Sequence, residues 1–172
     1  MAQLETPFDK LSNYILATIY KAIKKHSPPD LELTKVTDLD ITLVKKLKSE
    51  YGIGGLIIDV DDTLRKENYK IPKCNQNWLE YMKKEFKICV VSKGHAKENV
   101  EDVLKAIGVE YISGYSASKQ KRFLEAANKM GLDPENVLVI GDDVINDIYD
   151  GNKSGMITAI VKEVAEEDEI ER

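Results

Sequence analysis

Cysteine is scarce in this chain of 172 residues: Cys74 and Cys89 are the only two, and they make no metal-ligand spacing. They cannot build a disulfide framework, so a reducing, cytoplasmic setting is expected. Cys89 sits in an apolar run and reads as a small buried hydrophobe. No run reaches the roughly 18 apolar residues of a membrane span, and no basic start with an apolar centre marks a signal peptide. Repeats and low-complexity segments are absent. A positive excess is also missing: the net charge of -5 argues against a general nucleic-acid binder. What the chain does have is 42% hydrophobic residues, ample for a core, and a length that suits one domain with an appendage.

The chain is organised around Leu56-Ile57-Ile58-Asp59-Val60-Asp61-Asp62-Thr63-Leu64. The apolar run does not alternate, which reads as a parallel strand buried on both faces. Three carboxylates and a threonine follow at its C-terminal end, where ligands bind in an open α/β sheet. Crowded carboxylates repel one another, and burying them requires a cation or a proton. An EF-hand loop starting at Asp59 would need Gly sixth and Glu twelfth; Leu64 and Lys70 stand there instead. Gly54 and Gly55 precede the strand, whereas a dinucleotide fingerprint follows one.

Periodicity predicts a first amphipathic helix over 10–26, with Leu11, Ile15, Ile19 and Ala22 on one face, stopped at Ser27-Pro28-Pro29. Residues 1–28 are therefore expected as an appendage and 29–172 as the main domain. Helices are predicted over 38–51, 75–86, 96–107, 119–130 and 144–153. The inward residues of 119–130 are read as Phe123, Leu124, Ala127 and Met130, and Trp78 is placed in the core or at its lip. Strands are expected at 56–59, 87–92, 110–112, 136–140 and 156–161. The alternation implies right-handed crossovers and a three-layer, doubly wound α/β domain with a parallel five-stranded sheet. The acidic tail from Glu163 reads as a solvated segment.

Four strand ends in this scheme carry reactive groups. The first has Asp59, Asp61, Asp62 and Thr63; the second has Ser92 and Lys93; Lys119 opens the helix after the third; the fourth has Asp142 and Asp143, with Asp147 a helical turn on. Parallel strands bring these ends to one edge. The set suits phosphoryl transfer to a carboxylate nucleophile. A divalent cation shared by Asp59 and Asp142 would offset the repulsion between carboxylate and phosphate, and Mg2+ fits an all-oxygen donor set.

Asp59-Val60-Asp61-Asp62-Thr63-Leu64, Ser92, Lys119 and Gly141-Asp142-Asp143-Val144-Ile145-Asn146-Asp147 resemble, in order and spacing, the four motifs of the haloacid dehalogenase (HAD) superfamily. The resemblance covers residues 53–161. It implies strand order 5-4-1-2-3 and an aspartyl-phosphate on Asp59. It also implies an acid/base role for Asp61, whose backbone carbonyl would be a metal ligand, and phosphate contacts from Thr63, Ser92 and Lys119. Magnesium would be held by Asp59, Asp61 and Asp142, with Asp143 and Asp147 in support. Two positions depart from the pattern: Lys93 follows Ser92, and Gln120 follows Lys119, leaving Lys121 as an alternative to Lys119.

The intervals between motifs are too short for a large cap domain. The approach over residues 45–59 and Asp150-Gly151-Asn152-Lys153-Ser154-Gly155-Met156 are similar to the capless subfamily IIIA, the group of the YqeG and mitochondrial phosphatidylglycerophosphate phosphatase families. An open site implies an exposed phosphate as substrate, including a lipid head group such as phosphatidylglycerophosphate. The basic N-terminal helix would then allow peripheral membrane contact, and an oligomer could enclose a smaller substrate. A non-catalytic HAD-fold binding protein and a receiver-like signalling domain are the alternatives. The order of motifs disfavours the receiver, which needs its acceptor aspartate after strand three, where Ile112-Ser113-Gly114 stands. His95 is a further candidate for substrate contact.

Overall fold

The structure, a computed structural model, describes residues 18–19, 21–22, 25–94 and 98–165. His95, most of the predicted first helix and the end of the acidic tail lie outside these residues.

Six strands form one sheet: β1 (Leu31–Leu33), β2 (Gly55–Ile58), β3 (Lys87–Lys93), β4 (Glu110–Gly114), β5 (Val137–Gly141) and β6 (Ile157–Val161). Their order is β1-β6-β5-β2-β3-β4, and every neighbouring pair is parallel. Five of the six stand in the predicted order. The sixth, β1, corrects the expectation of five strands. Leu31-Glu32-Leu33 is too short for a period to register in the sequence. It is recruited by Asp30, whose N–H donates to the Thr158 carbonyl at 3.0 Å and whose carboxylate accepts from the Thr158 N–H at 2.8 Å.

From residue 27 on, the helices among the described residues are α1 (Ile41–Tyr51), α2 (Lys73–Met82), α3 (Glu98–Ile107), α4 (Gln120–Met130) and α5 (Asp150–Lys153), the last entered through a π-helical turn, Val144–Tyr149. α1 starts three residues later than predicted because Asp40, not an earlier residue, caps it, accepting from the N–H groups of Thr42 and Leu43 at 2.9 Å. Asp38 serves the preceding turn instead, accepting from the Thr34 and Lys35 N–H groups.

Both faces of the sheet are covered, which explains the unbroken apolar runs. Leu56 and Ile58 of β2 point into one core with Val44, Leu47, Leu79, Val100 and Leu104. Ile57, between them, points into a second core with Cys89, Phe123, Ala126, Ala127 and Met130. Burial pushes the Cys89 thiol up to about 12, consistent with an inert hydrophobe. Trp78 is buried, and its indole N–H donates to the Leu39 carbonyl at 3.3 Å.

The α4 expectation needs one correction. Its buried stripe is Phe123, Ala126, Ala127 and Met130, while Leu124 is 41% exposed. Leu124 lies about 100° around the helix from Phe123, and the sheet claims only one side. Phe123→Ala is expected to cost about 3–5 kcal/mol of unfolding free energy, whereas Leu124→Ala should stay within about 0.5 kcal/mol. Urea unfolding of the two variants checks the phase of the helix.

Candidate active site

β2 ends at Ile58, but pairing with β5 continues one residue further: the Asp59 N–H donates to the Ile140 carbonyl at 2.9 Å. Asp59 is thereby pinned beside the end of β5. The chain then turns sharply. The Leu64 and Arg65 N–H groups both donate to the Val60 carbonyl, and Asp62 adopts φ 56°. This turn buries Thr63, whose hydroxyl donates to Asp142 Oδ1 at 3.3 Å.

Lys119 and Lys121 were left as alternatives by the sequence, and their placement differs sharply. Lys121 is exposed. Lys119 is 3% exposed, and its ammonium contacts Asp59 Oδ1 and lies 2.7 Å from Asp147 Oδ1. The Lys119 backbone N–H donates to Asp150 Oδ2 at 2.7 Å, which ties the start of α4 to α5.

Asp142 and Asp143 follow β5 and diverge. Asp143 turns back to cap the π-helical turn, accepting from the Ile145 and Asn146 N–H groups at 2.7 and 3.1 Å. Burial works to raise its carboxyl, but these bonds and that from the Asn146 side chain outweigh it and hold the group below its ordinary value. Asp147 is fully buried and accepts from the Asp143 N–H at 3.1 Å. It presses so closely on β5 that a Cβ at position 141 would lie 2.3 Å from its carboxyl carbon, so only glycine fits there.

One carboxylate oxygen from each of Asp59, Asp142 and Asp147 lies within 4.8 Å of the others. Burial, then the neighbouring Asp147 charge, raises the Asp59 carboxyl to about 8 despite its contact with Lys119. Burial and the same neighbour raise Asp142 to about 6. Burial also raises Asp147. Three crowded oxygens facing a single lysine charge form a donor set that fits a hard divalent cation.

Asp61 points to the rim of the site. Arg65, fully buried, donates from Nε to Asp61 Oδ1 at 2.9 Å and places Nη2 2.8 Å from the same oxygen. Ser92 is buried, with its hydroxyl 2.8 Å from that of Tyr111. Asp59, Asp61, Ser92, Lys93, Lys119 and Asp142 all line one open cleft of about 220 Å³. Arg65 and Tyr111 escaped the sequence reading. Each acts through another residue and carries no spacing signal of its own.

A family model described as HAD-hydrolase-like matches residues 118–171. The probable phosphatase YqeG of Bacillus subtilis (strain 168) is 33% identical over 130 residues, which span 72% of each chain. The chain belongs to the HAD superfamily. Among solved structures, a hypothetical protein of Xanthomonas campestris superposes with a TM-score of 0.55 at 18% identity, covering 76% of this chain and 75% of that one. A HAD family enzyme of Bacteroides thetaiotaomicron, in complex with magnesium and inorganic phosphate, gives 0.51 at 12% identity, covering 70% of this chain and 100% of that one. At these identities the two structures show a shared fold and nothing more.

The site sets a sign for stability against pH in metal-free protein. Folded Asp59 keeps its proton up to about pH 8, whereas the group's ordinary value is 3.8. Between those values the folded chain binds more protons than the unfolded one, so stability falls as pH rises. Asp142 adds to the fall between 3.8 and about 6. Lys119, whose value is raised, keeps its contribution below 10.5 and so does not oppose the trend in this window. Denaturant unfolding in chelator is expected to show lower stability at pH 8 than at pH 5; a rise over that interval contradicts the assignment.

Proposed function

We propose that this HAD-type phosphatase is a magnesium-dependent phosphomonoester hydrolase that works through an aspartyl-phosphate on Asp59. The observation that carries the reading is the meeting of buried Asp59 and Asp147 and half-buried Asp142 at the carboxyl edge of the sheet, with the Lys119 ammonium between the first two.

The bound cation would be held by Asp59 and Asp142, with the Asp61 carbonyl and Asp147 in support, and would supply positive charge against the phosphate oxygens. In the first half-reaction an Asp59 carboxylate oxygen attacks phosphorus and the bond to the ester oxygen breaks. Asp61 gives that oxygen its proton. In the second half-reaction Asp61 takes a proton from water, whose oxygen attacks phosphorus and releases phosphate, restoring the Asp59 carboxylate. Lys119 neutralises charge on Asp59 and on the phosphate. Ser92 lines the same cleft and would serve a phosphate oxygen, its hydroxyl being positioned by that of Tyr111. Thr63 acts from beneath, orienting Asp142. Arg65 orients Asp61 through its two contacts with Oδ1.

The cleft is open, with only the turn after β2 and α2 between β2 and β3, and this favours a phosphate exposed on a larger molecule. A lipid head group such as that of phosphatidylglycerophosphate belongs to this class. Among the described residues no helix is long and apolar enough to cross a membrane, so a lipid substrate would be met at a surface.

Asp59→Asn is expected to lower p-nitrophenyl phosphate turnover by at least about 10³-fold, with the circular dichroism unchanged. Turnover by that variant near the wild-type rate contradicts the mechanism. A panel of phosphate esters that includes phosphatidylglycerophosphate then ranks the substrates.

A further inference from the structure

A second concavity, of about 610 Å³, opens beyond the end of β4, and its wall includes Ser113, Ser116, Ser118, Lys121, Arg122 and Glu125. Arg122 is its unusual member. It lies on the buried side of α4 and is only 8% exposed. One nitrogen, Nη1, donates to the Ser116 hydroxyl at 2.8 Å, while Nε and Nη2 have no hydrogen-bond partner among the described residues. A buried guanidinium is ordinarily matched by an anion. Arg65 shows that match within this fold, since Asp61 answers it. Arg122 has no such carboxylate among the described residues: Glu125, a turn further along α4, is half exposed and pairs with Lys129 at 3.7 Å.

We propose that this cavity is an anion subsite and that Arg122, with Lys121, takes a second anionic group of the substrate, a carboxylate or a phosphate. The guanidinium fork matches two oxygens of such a group, whereas Ser116 offers it one neutral acceptor. Ser116, which accepts from Nη1, belongs to the exposed stretch 115–117, so this neutral partner sits at the surface of the cavity. The location suits a substrate that bridges two places. Lys93, on the wall of the catalytic cleft, is the register partner of Gly114, on the wall of this cavity. Ser118 and Gln120 line the cavity on either side of Lys119 in the chain. The inference rests on the phosphatase reading for the first phosphate, and it narrows the substrate class to phosphomonoesters carrying another negative charge.

Equilibrium titrations of the full chain test it. Phosphoglycolate, 3-phosphoglycerate and 6-phosphogluconate vary the distance between a phosphate and a carboxylate; glycerol 3-phosphate and glucose 6-phosphate lack the second charge. Micellar short-chain phosphatidylglycerophosphate, with a phosphodiester as its second anion, separates a lipid source from a soluble one. At least one bis-anionic probe should bind the wild type tenfold or more tightly than its matched control and shift the Arg122 Nε–H resonance. Arg122→Met should erase the preference, and Arg122→Lys should restore part of it. Equal affinities in the wild type, or a preference that survives Arg122→Met, overturn the proposal. The wild-type comparison stands even if a variant misfolds. Wild-type turnover of p-nitrophenyl phosphate with magnesium reports on the hydrolase reading separately, because that ester has no second anionic group.

Discussion

The ammonium of Lys119 is the constraint on which the site depends. It is enclosed between Asp59 and Asp147, and it arrives there from the residue just before α4, a helix on the far side of the sheet from α1, α2 and α3. Without a cation between them, two buried carboxylates at this separation would not both stay ionised. One lysine charge against three aspartates still leaves an acidic excess. Burial, with that excess added to it, keeps Asp59 and Asp142 above the ordinary carboxylate range and prepares the edge for a divalent ion. Structure and chemistry thus share a cause: the fold tolerates the cluster only to the extent that positive charge is delivered to it.

Delivery is a matter of register. β2 lies between β5 and β3, so Asp59 emerges beside Gly141 on one side and close to Ser92 on the other. The missing side chain at Gly141 lets Asp147 approach from the following turn. The bond between the Lys119 N–H and Asp150 then locks the lysine's helix to the chain segment that carries Asp147. The site is therefore assembled from the ends of β2, β3 and β5, the start of α4 and the π-helical turn.

Much of this was legible in the sequence for a physical reason. Strands buried on both faces leave unbroken runs such as Leu56-Ile57-Ile58 and Val137-Leu138-Val139-Ile140, and the polar residues that stop them mark the active edge. Strand order for the five strands from β6 to β4 followed from the family resemblance. What escaped was set by tertiary context. Three residues at β1 carry no period, and their place depends on Asp30 meeting Thr158, far along the chain. The expected face of α4 included Leu124, but the buried stripe is centred one position earlier in the turn and takes Arg122 and Ala126 instead, a charged and a small residue that an apolar pattern does not single out. The choice between Lys119 and Lys121 could not be made from spacing, since only packing decides which of two nearby lysines turns inward.

Titration of magnesium by calorimetry, into wild-type protein and into Asp142→Asn, tests the central claim most directly. A shared-cation site predicts one ion per wild-type chain and at least a tenfold loss of affinity in the variant. Wild-type protein that takes up no magnesium, or a variant that binds it as tightly as the wild type, would show that the three aspartates do not serve a common ion.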